Sequence, residues 1–303
     1  FAEQIIPEQI QQLSLSFLID ELDVRRGGVA ANICFGLSGF GLRPVLVGAA
    51  GVDFEEYRAW LDRHGVDTSA VLISELRHTA RFVCTTDRDQ NQIASFYAGA
   101  MAEARNIELK PIADRLGGLD LVLIGADDPA AMVRHSEECR TRSIAFAADP
   151  SQQLARMEGP EVRGLIEGAS FLFTNEYEKA LAEQKTGWSD DQIMSRVGIR
   201  VTTLGAKGAR IERRGEPSVH VPAAQVDEIV DPTGMGDSFR AGFLAAHSWG
   251  LSLERAAQVG NAVAVHCLEA DGPQEYSLTP ASLLDRIERS YGVDAAEDVR
   301  PHL

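Results

Sequence analysis

The stretch from residue 119 to residue 205 constrains this chain most, because it repeats one order: a short apolar run followed by a helical pattern. LDLVLIGA (119–126), SIAFAADP (143–150), SFLFTN (170–175) and GIRVTTLG (198–205) read as strands, and helical patterns lie between them, as in EYEKALAEQ. Strands that are apolar on both faces need cover on both faces, so the series predicts an α/β fold with a mostly parallel sheet flanked by helices. Ligands of such sheets sit beyond the carboxyl ends of the strands. Here those ends read GADDP, ADPSQQ, TNEYE and TLGAKG, rich in groups that could reach a ligand.

Two stretches carry another period. In LSLSFLIDELDVR (13–25) Leu13, Leu15, Phe17 and Ile19 alternate with mostly polar neighbours before the phase slips, the pattern of a half-exposed strand with a break. TARFVCTT (79–86) and QIASFYAG (92–99) flank DRDQN as a hairpin. Strands at about 8–26 and 79–98 are therefore expected to form a small β-sheet lid inserted in one domain spanning 1–303, since no repeat or low-complexity linker divides the chain.

A net charge of −16 without a Lys/Arg run excludes a nucleic-acid surface, although backbone N–H groups can still bind an anion locally. Cys34, Cys84, Cys139 and Cys267 are scattered in apolar surroundings and read as buried free thiols. No apolar run approaches a membrane span, and the opening FAEQIIPEQIQQ does not read as a signal peptide; the expectation is a cytoplasmic protein. The P-loop, dinucleotide, zinc-protease and hydrolase signatures are absent.

DPTGMGDSFRAGF (231–243) places Gly234 and Gly236 directly before a helical pattern that begins near Asp237. The first N–H groups of a helix lack internal partners and carry its positive end, and glycines let backbone approach an anion closely. A carboxylate there would be held ionised by the helix dipole. A glycine turn with an Asp N-cap explains the same five residues. A second glycine-led helix, GGVAANICFGLSGFG (27–41) with Asn32 early in it, suits a site that grips two ligands.

Together these segments resemble the ribokinase-like (PfkB) family of carbohydrate and nucleoside kinases. RGGVAANICFGLSGFGLRPVLVGAAGVD (26–53) is similar to the family's N-terminal signature and DPTGMGDSFRAGF to its C-terminal one, with N-x-x-E as Asn175 and Glu178 and the nucleotide turn as TLGAKG. TARFVCTTD, QIASFY, ADPSQQLAR and TLGAKG resemble the adenosine kinases of actinobacteria. The resemblance implies phosphoryl transfer from ATP to the 5′-hydroxyl of adenosine, with Asp237 as base and the N–H groups from Gly234 through Gly236 to Asp237 as anion hole. It implies Asn175 and Glu178 around Mg²⁺ through water, Thr203, Gly205, Gly208 and Asn261 at ATP, and Ser16, Gly28, Asn32, Phe82, Phe96, Gln152, Gln153 and Arg156 at the nucleoside. It further implies stimulation by K⁺ near Asp231 and Asp271, and a homodimer through the lid strands with Phe82 serving the neighbour's site. A sugar kinase of the same family and a non-catalytic nucleoside-binding protein are the alternatives.

Two features depart from the family's pattern. Met235 stands between the motif glycines where a small residue is usual. The family's opening central strand, with its ribose-binding Asp, is missing ahead of the lid, so the native chain is expected to carry further residues before Phe1.

Overall fold

The four apolar runs form four parallel strands in chain order: β5 (Val122–Ile124), β6 (Phe146–Ala148), β7 (Phe171–Asn175) and β8 (Ile199–Thr203). The computed structural model describes residues 17–89 and 91–303. Antiparallel β9 (Ala209–Arg213) and β10 (Val219–Val221) complete a six-stranded sheet in the order β10-β9-β8-β7-β6-β5. The period-2 alternation sorts its side chains onto two faces. Ala147, Phe171, Phe173, Ile199 and Val201 pack with α8 (Met235–Ser248) and α9 (Leu253–Leu268). Phe146, Ala148 and Leu172 pack with α4 (Pro129–Thr141) and α5 (Gly159–Ile166) on the other. Burial on both faces is why these strands read as continuous apolar runs.

Other elements were less visible in the sequence. α1 (Val29–Ser38) leads into β1 (Val45–Ala50), and α2 (Glu55–Arg63) connects it to β2 (Asp67–Ile73); β1 and β2 pair in parallel as a separate two-stranded sheet. Among the described residues no strand joins β1 or the outer edge of β5 to anything further.

The hairpin formed as expected: β3 (Arg81–Thr86) pairs antiparallel with β4 (Gln92–Tyr97), Phe82 opposite Phe96. The preceding expected lid strand, at about 8–26, is absent from its described part. Residues 17–28 form no strand, and the rest of that expected strand, Ser16 included, lies outside the described residues. The alternation of Phe17 and Ile19 has no sheet to serve: Leu18, Ile19, Leu22 and Val24 are exposed. Cys34, Cys139 and Cys267 are buried free thiols, but Cys84 is half-exposed because it sits on a hairpin that no layer covers. No helix among the described residues is long and apolar enough to cross a membrane.

Candidate active site

A cavity of about 270 Å³ opens at the carboxyl ends of β6, β7 and β8, between the starts of α1 and α8. Val29 comes from α1, Ser151 and Gln152 follow β6, Asn175 and Glu178 follow β7, and Thr203 ends β8. Gly234, Gly236, Asp237 and Arg240 line it from α8. A larger cleft of about 470 Å³ between α7 (Asp190–Met194) and the β9–β10 turn is a charged surface groove. Its Asp190 and Glu212 are engaged by Arg200, and its Glu216 by Arg213, which leaves it few free groups to converge on a ligand.

Helix α8 starts two residues earlier than the sequence suggests. Gly234 is its N-cap, with φ +82°, and Asp237 is its third residue. The Asp N-cap reading is thereby excluded: an Asp237 oxygen accepts from Asn32 Nδ2 at 2.8 Å. The Gly236 and Asp237 N–H groups have no acceptor among the described residues, as helix geometry dictates for a first turn. Met235 does not line the cavity, so the bulkier residue between the glycines leaves the N–H groups accessible.

The two glycines have different causes. A Cβ on Gly234 would lie 2.4 Å from the Pro273 Cβ, and its φ is left-handed. Gly236 has helical backbone, but a Cβ there would approach the Arg240 Nη1 at 3.0 Å. That same Nη1 donates to the Gly236 carbonyl at 2.9 Å.

Burial pushes the Asp237 carboxyl up to about 6; donation from Asn32 and the nearby Arg240 pull it down, and Asp149 pushes it further up. The expected depression by the helix dipole is therefore outweighed by desolvation. The result is a carboxylate that is ionised at pH 7 yet basic enough to take a proton.

Asn175 and Glu178 form a reciprocal capping box at α6 (Glu176–Thr186): Asn175 Oδ1 accepts from the Glu178 N–H at 2.7 Å, and Glu178 Oε2 from the Asn175 N–H at 2.8 Å. Burial raises the Glu178 carboxyl. Its Oε1 has no hydrogen-bond partner among the described residues, so one oxygen can face a hydrated cation.

Of the remaining expected residues, Gly28 caps α1 with φ +107° and its carbonyl accepts from the Asn32 N–H at 2.8 Å. Gly205 and Gly208 shape the turn after Thr203; a Cβ on Gly208 would lie 2.0 Å from the Val221 carbonyl. Gln152 lines the cavity, whereas Gln153 is buried beneath it. Asn261 lies outside the lining, its amide donating to the Pro222 carbonyl at 2.9 Å. Phe96 and Arg156 meet, guanidinium 5.7 Å from ring centroid, so the Phe82/Phe96 face of the hairpin turns toward the β6 end. Asp271, expected near a K⁺ site, is engaged by Arg25 through both its carboxylate and its carbonyl at 2.6 Å.

Sequence reasoning missed Ser151, Asp149 and Arg240. Ser151 has φ +47°, a left-handed conformation at the strand end. Asp149 and Arg240 are buried and pair with each other. A charged residue one turn after Asp237 on a helix otherwise buried was the available signal.

The chain is similar to a nucleoside kinase of Methanocaldococcus jannaschii, 30% identical over 265 residues that cover 87% of this chain and 85% of the relative. The structure of a Burkholderia thailandensis nucleoside kinase in complex with inosine superposes with a TM-score of 0.85 at 33% identity, covering 92% of each chain. The same kinase in complex with ADP-inosine matches at a TM-score of 0.83 and 33% identity, over 97% of this chain and 91% of that one. The family model for pfkB carbohydrate kinases matches residues 5–280, and with that match and this site geometry the chain belongs to the pfkB family of carbohydrate kinases.

Proposed function

We propose that this protein is an ATP-dependent nucleoside kinase, transferring the γ-phosphoryl group to the 5′-hydroxyl of a purine nucleoside, with adenosine as the expected substrate and AMP and ADP as products. The observation that carries the reading is the α8 start, where Asp237 stands in the cavity wall beside the unpartnered N–H groups of Gly236 and Asp237. The nucleoside oxygen attacks the γ-phosphorus as its bond to the ADP oxygen breaks, and Asp237 takes the hydroxyl proton. The transition state is loose, so positioning and charge neutralisation dominate, and the free N–H groups supply both. Mg²⁺ neutralises phosphate charge when bound, and Glu178 Oε1 fits a role in holding it through water.

A nucleoside rather than a sugar is supported by the aromatic pair Phe82 and Phe96 with Arg156 against it, a surface suited to a planar base. The inosine bound by the similar Burkholderia thailandensis kinase supports a purine as the base. The test is ADP release on adenosine, inosine, ribose and fructose with the purified protein. Turnover on purine nucleosides is expected, and turnover confined to the sugars overturns the reading. Adenosine binding without turnover would instead indicate a binding protein.

The opposite lid face carries Val83, Ile93 and Tyr97, all exposed. That face, with open hairpin edges, supports a homodimer through the lids. A monomer by light scattering at micromolar concentration contradicts it.

A further inference from the structure

Four hydrogen bonds link a backbone carbonyl to the carboxylate in the cavity. Tyr57 on α2 donates its hydroxyl to the Gly27 carbonyl at 2.9 Å. Gln274, in the connection after α9, directs its Nε2 to the Tyr57 oxygen at 2.5 Å and to Asn32 Oδ1 at 2.9 Å. Asn32 Nδ2 then donates to Asp237 Oδ2 at 2.8 Å. Gln274 and Asn32 are 2% and 4% exposed, so water does not offer them substitute partners.

We infer that Gln274 and Tyr57 are positioning residues that fix the polarity of this chain, so that Asn32 presents an N–H, and not its oxygen, to Asp237. The inference rests on Asp237 being the base. The polarity follows from donor and acceptor capacity alone. A carbonyl can only accept, so the Tyr57 hydroxyl must donate to Gly27 and accept from its other neighbour. Gln274 must therefore turn its amide nitrogen, and not its oxygen, toward Tyr57. The same nitrogen's second hydrogen goes to the Asn32 oxygen, which leaves the Asn32 nitrogen facing Asp237. Reversing any amide would set two acceptors against each other, and at Asp237 that conflict is relieved only by protonating the base. Gly27 lies directly before the glycine-led α1, so its carbonyl decides the sign of a contact on another helix.

Other groups also act on Asp237. Arg240 on its own helix favours the carboxylate, and Asp149, from the β6 end, disfavours it. Cys267 on α9 and the Tyr276 phenol also lie within its field, both pushed up by burial and so neutral near pH 7. Glu178 faces the same cavity and shares Arg240's charge. None of these depends on Gln274, which lets its contribution be separated.

The experiment is the pH dependence of kcat/KM for wild type, Gln274→Leu, Gln274→Glu and Tyr57→Phe, with Asp237→Asn alongside. The acid limb of kcat/KM reports the free enzyme's base. Gln274→Leu should move that limb up by about one pH unit, lowering activity near pH 6 about fivefold while activity near pH 9 stays within about threefold. Gln274→Glu should move it further, because a carboxylate accepts from Asn32 and turns its oxygen onto Asp237. Tyr57→Phe should fall between wild type and Gln274→Leu. The limb's position does not depend on what fraction of a variant is folded, so a poorly folding variant still reports. A limb at the wild-type position in both Gln274 variants, with Asp237→Asn inactive, overturns the inference alone. A fully active Asp237→Asn overturns the assignment of the base and the inference with it.

Discussion

Arg240 and Asp149 form an ion pair almost wholly removed from water, directly beneath the helix turn that carries Asp237. Nη2 donates to Oδ1 at 2.7 Å, while Nε approaches Oδ2 at 2.5 Å without hydrogen-bond alignment, a contact that is mainly electrostatic. Through Nη1 the same guanidinium holds the Gly236 carbonyl, so the pair fastens the end of β6 to the start of α8. Burial pushes the Asp149 carboxyl up against the pull of the guanidinium.

Removing one partner of such a pair leaves an uncompensated buried charge. Arg240→Met is expected to cost about 3–5 kcal/mol in urea unfolding and to lower kcat, because Gly236 loses its anchor. The double variant Asp149→Asn with Arg240→Met should recover much of the stability but not the rate. A double variant less stable than either single one would show that the pair is not the dominant interaction there.

That pair also shows where the sequence stopped being informative. The α/β order was readable because buried parallel strands write themselves as apolar runs, and the lid hairpin because Phe82 and Phe96 flank a polar turn. The Asp237 position was readable because glycines before a helix have a local cause. The Arg240–Asp149 pair and the contacts of Gln274 with Asn32 and of Tyr57 with Gly27 join residues 30 or more positions apart, and nothing in local periodicity reports that. Strand β1 was hidden inside the glycine-rich signature segment, and residues 17–26 of the expected lid strand form no strand, because alternation needs a partner strand to become structure.

Asp237→Asn should stabilise the protein while abolishing activity. The folded carboxyl sits near 6, above its ordinary value of 3.8, so the folded state binds this proton more tightly than the unfolded state. Below about pH 4 the group is neutral in both states and contributes nothing. As pH rises through 6 the folded form must ionise against its burial, and the cost reaches about 1–3 kcal/mol above that. The stability gap between variant and wild type should open between pH 4 and 6 and stay constant above, while kcat falls about 10²–10⁴-fold. A gap of equal size at pH 4 and pH 8 would refute the desolvation account.

The two motif glycines should separate stability from rate. Gly234→Ala places a side chain at φ +82° and against Pro273, so about 1–2 kcal/mol of backbone strain adds to a steric conflict. Gly236→Ala keeps helical backbone and meets only the Arg240 guanidinium. It should unfold near the wild-type temperature yet lose about tenfold or more in kcat, since displacing the guanidinium moves the turn proposed to bind the transferring phosphate. Thermal unfolding and steady-state rates on both variants check the contrast, and equal effects on both measures would contradict it.

Asp53 anchors the lid's root. Its Oδ1 accepts from the Thr79 N–H and hydroxyl, each at 2.8 Å, and its Oδ2 from Arg81 Nη2 at 2.5 Å. Burial acts to raise this carboxyl, but the donations from Thr79 and Arg81 outweigh it and hold it well below the usual carboxylate range. Its stabilisation is therefore fully present above pH 4 and is lost only as pH falls through the depressed folded value. Asp53→Asn keeps the size but cannot accept three charge-assisted hydrogen bonds, and should cost about 1–3 kcal/mol at pH 7. Since Arg81 begins β3, the loss should free the hairpin that carries Phe82 and Phe96. Hydrogen exchange should rise in residues 79–97 while the sheet amides of β7 and β8 stay protected, and KM for the nucleoside should rise more than kcat falls. Unchanged exchange across 79–97 would place the lid's stability elsewhere.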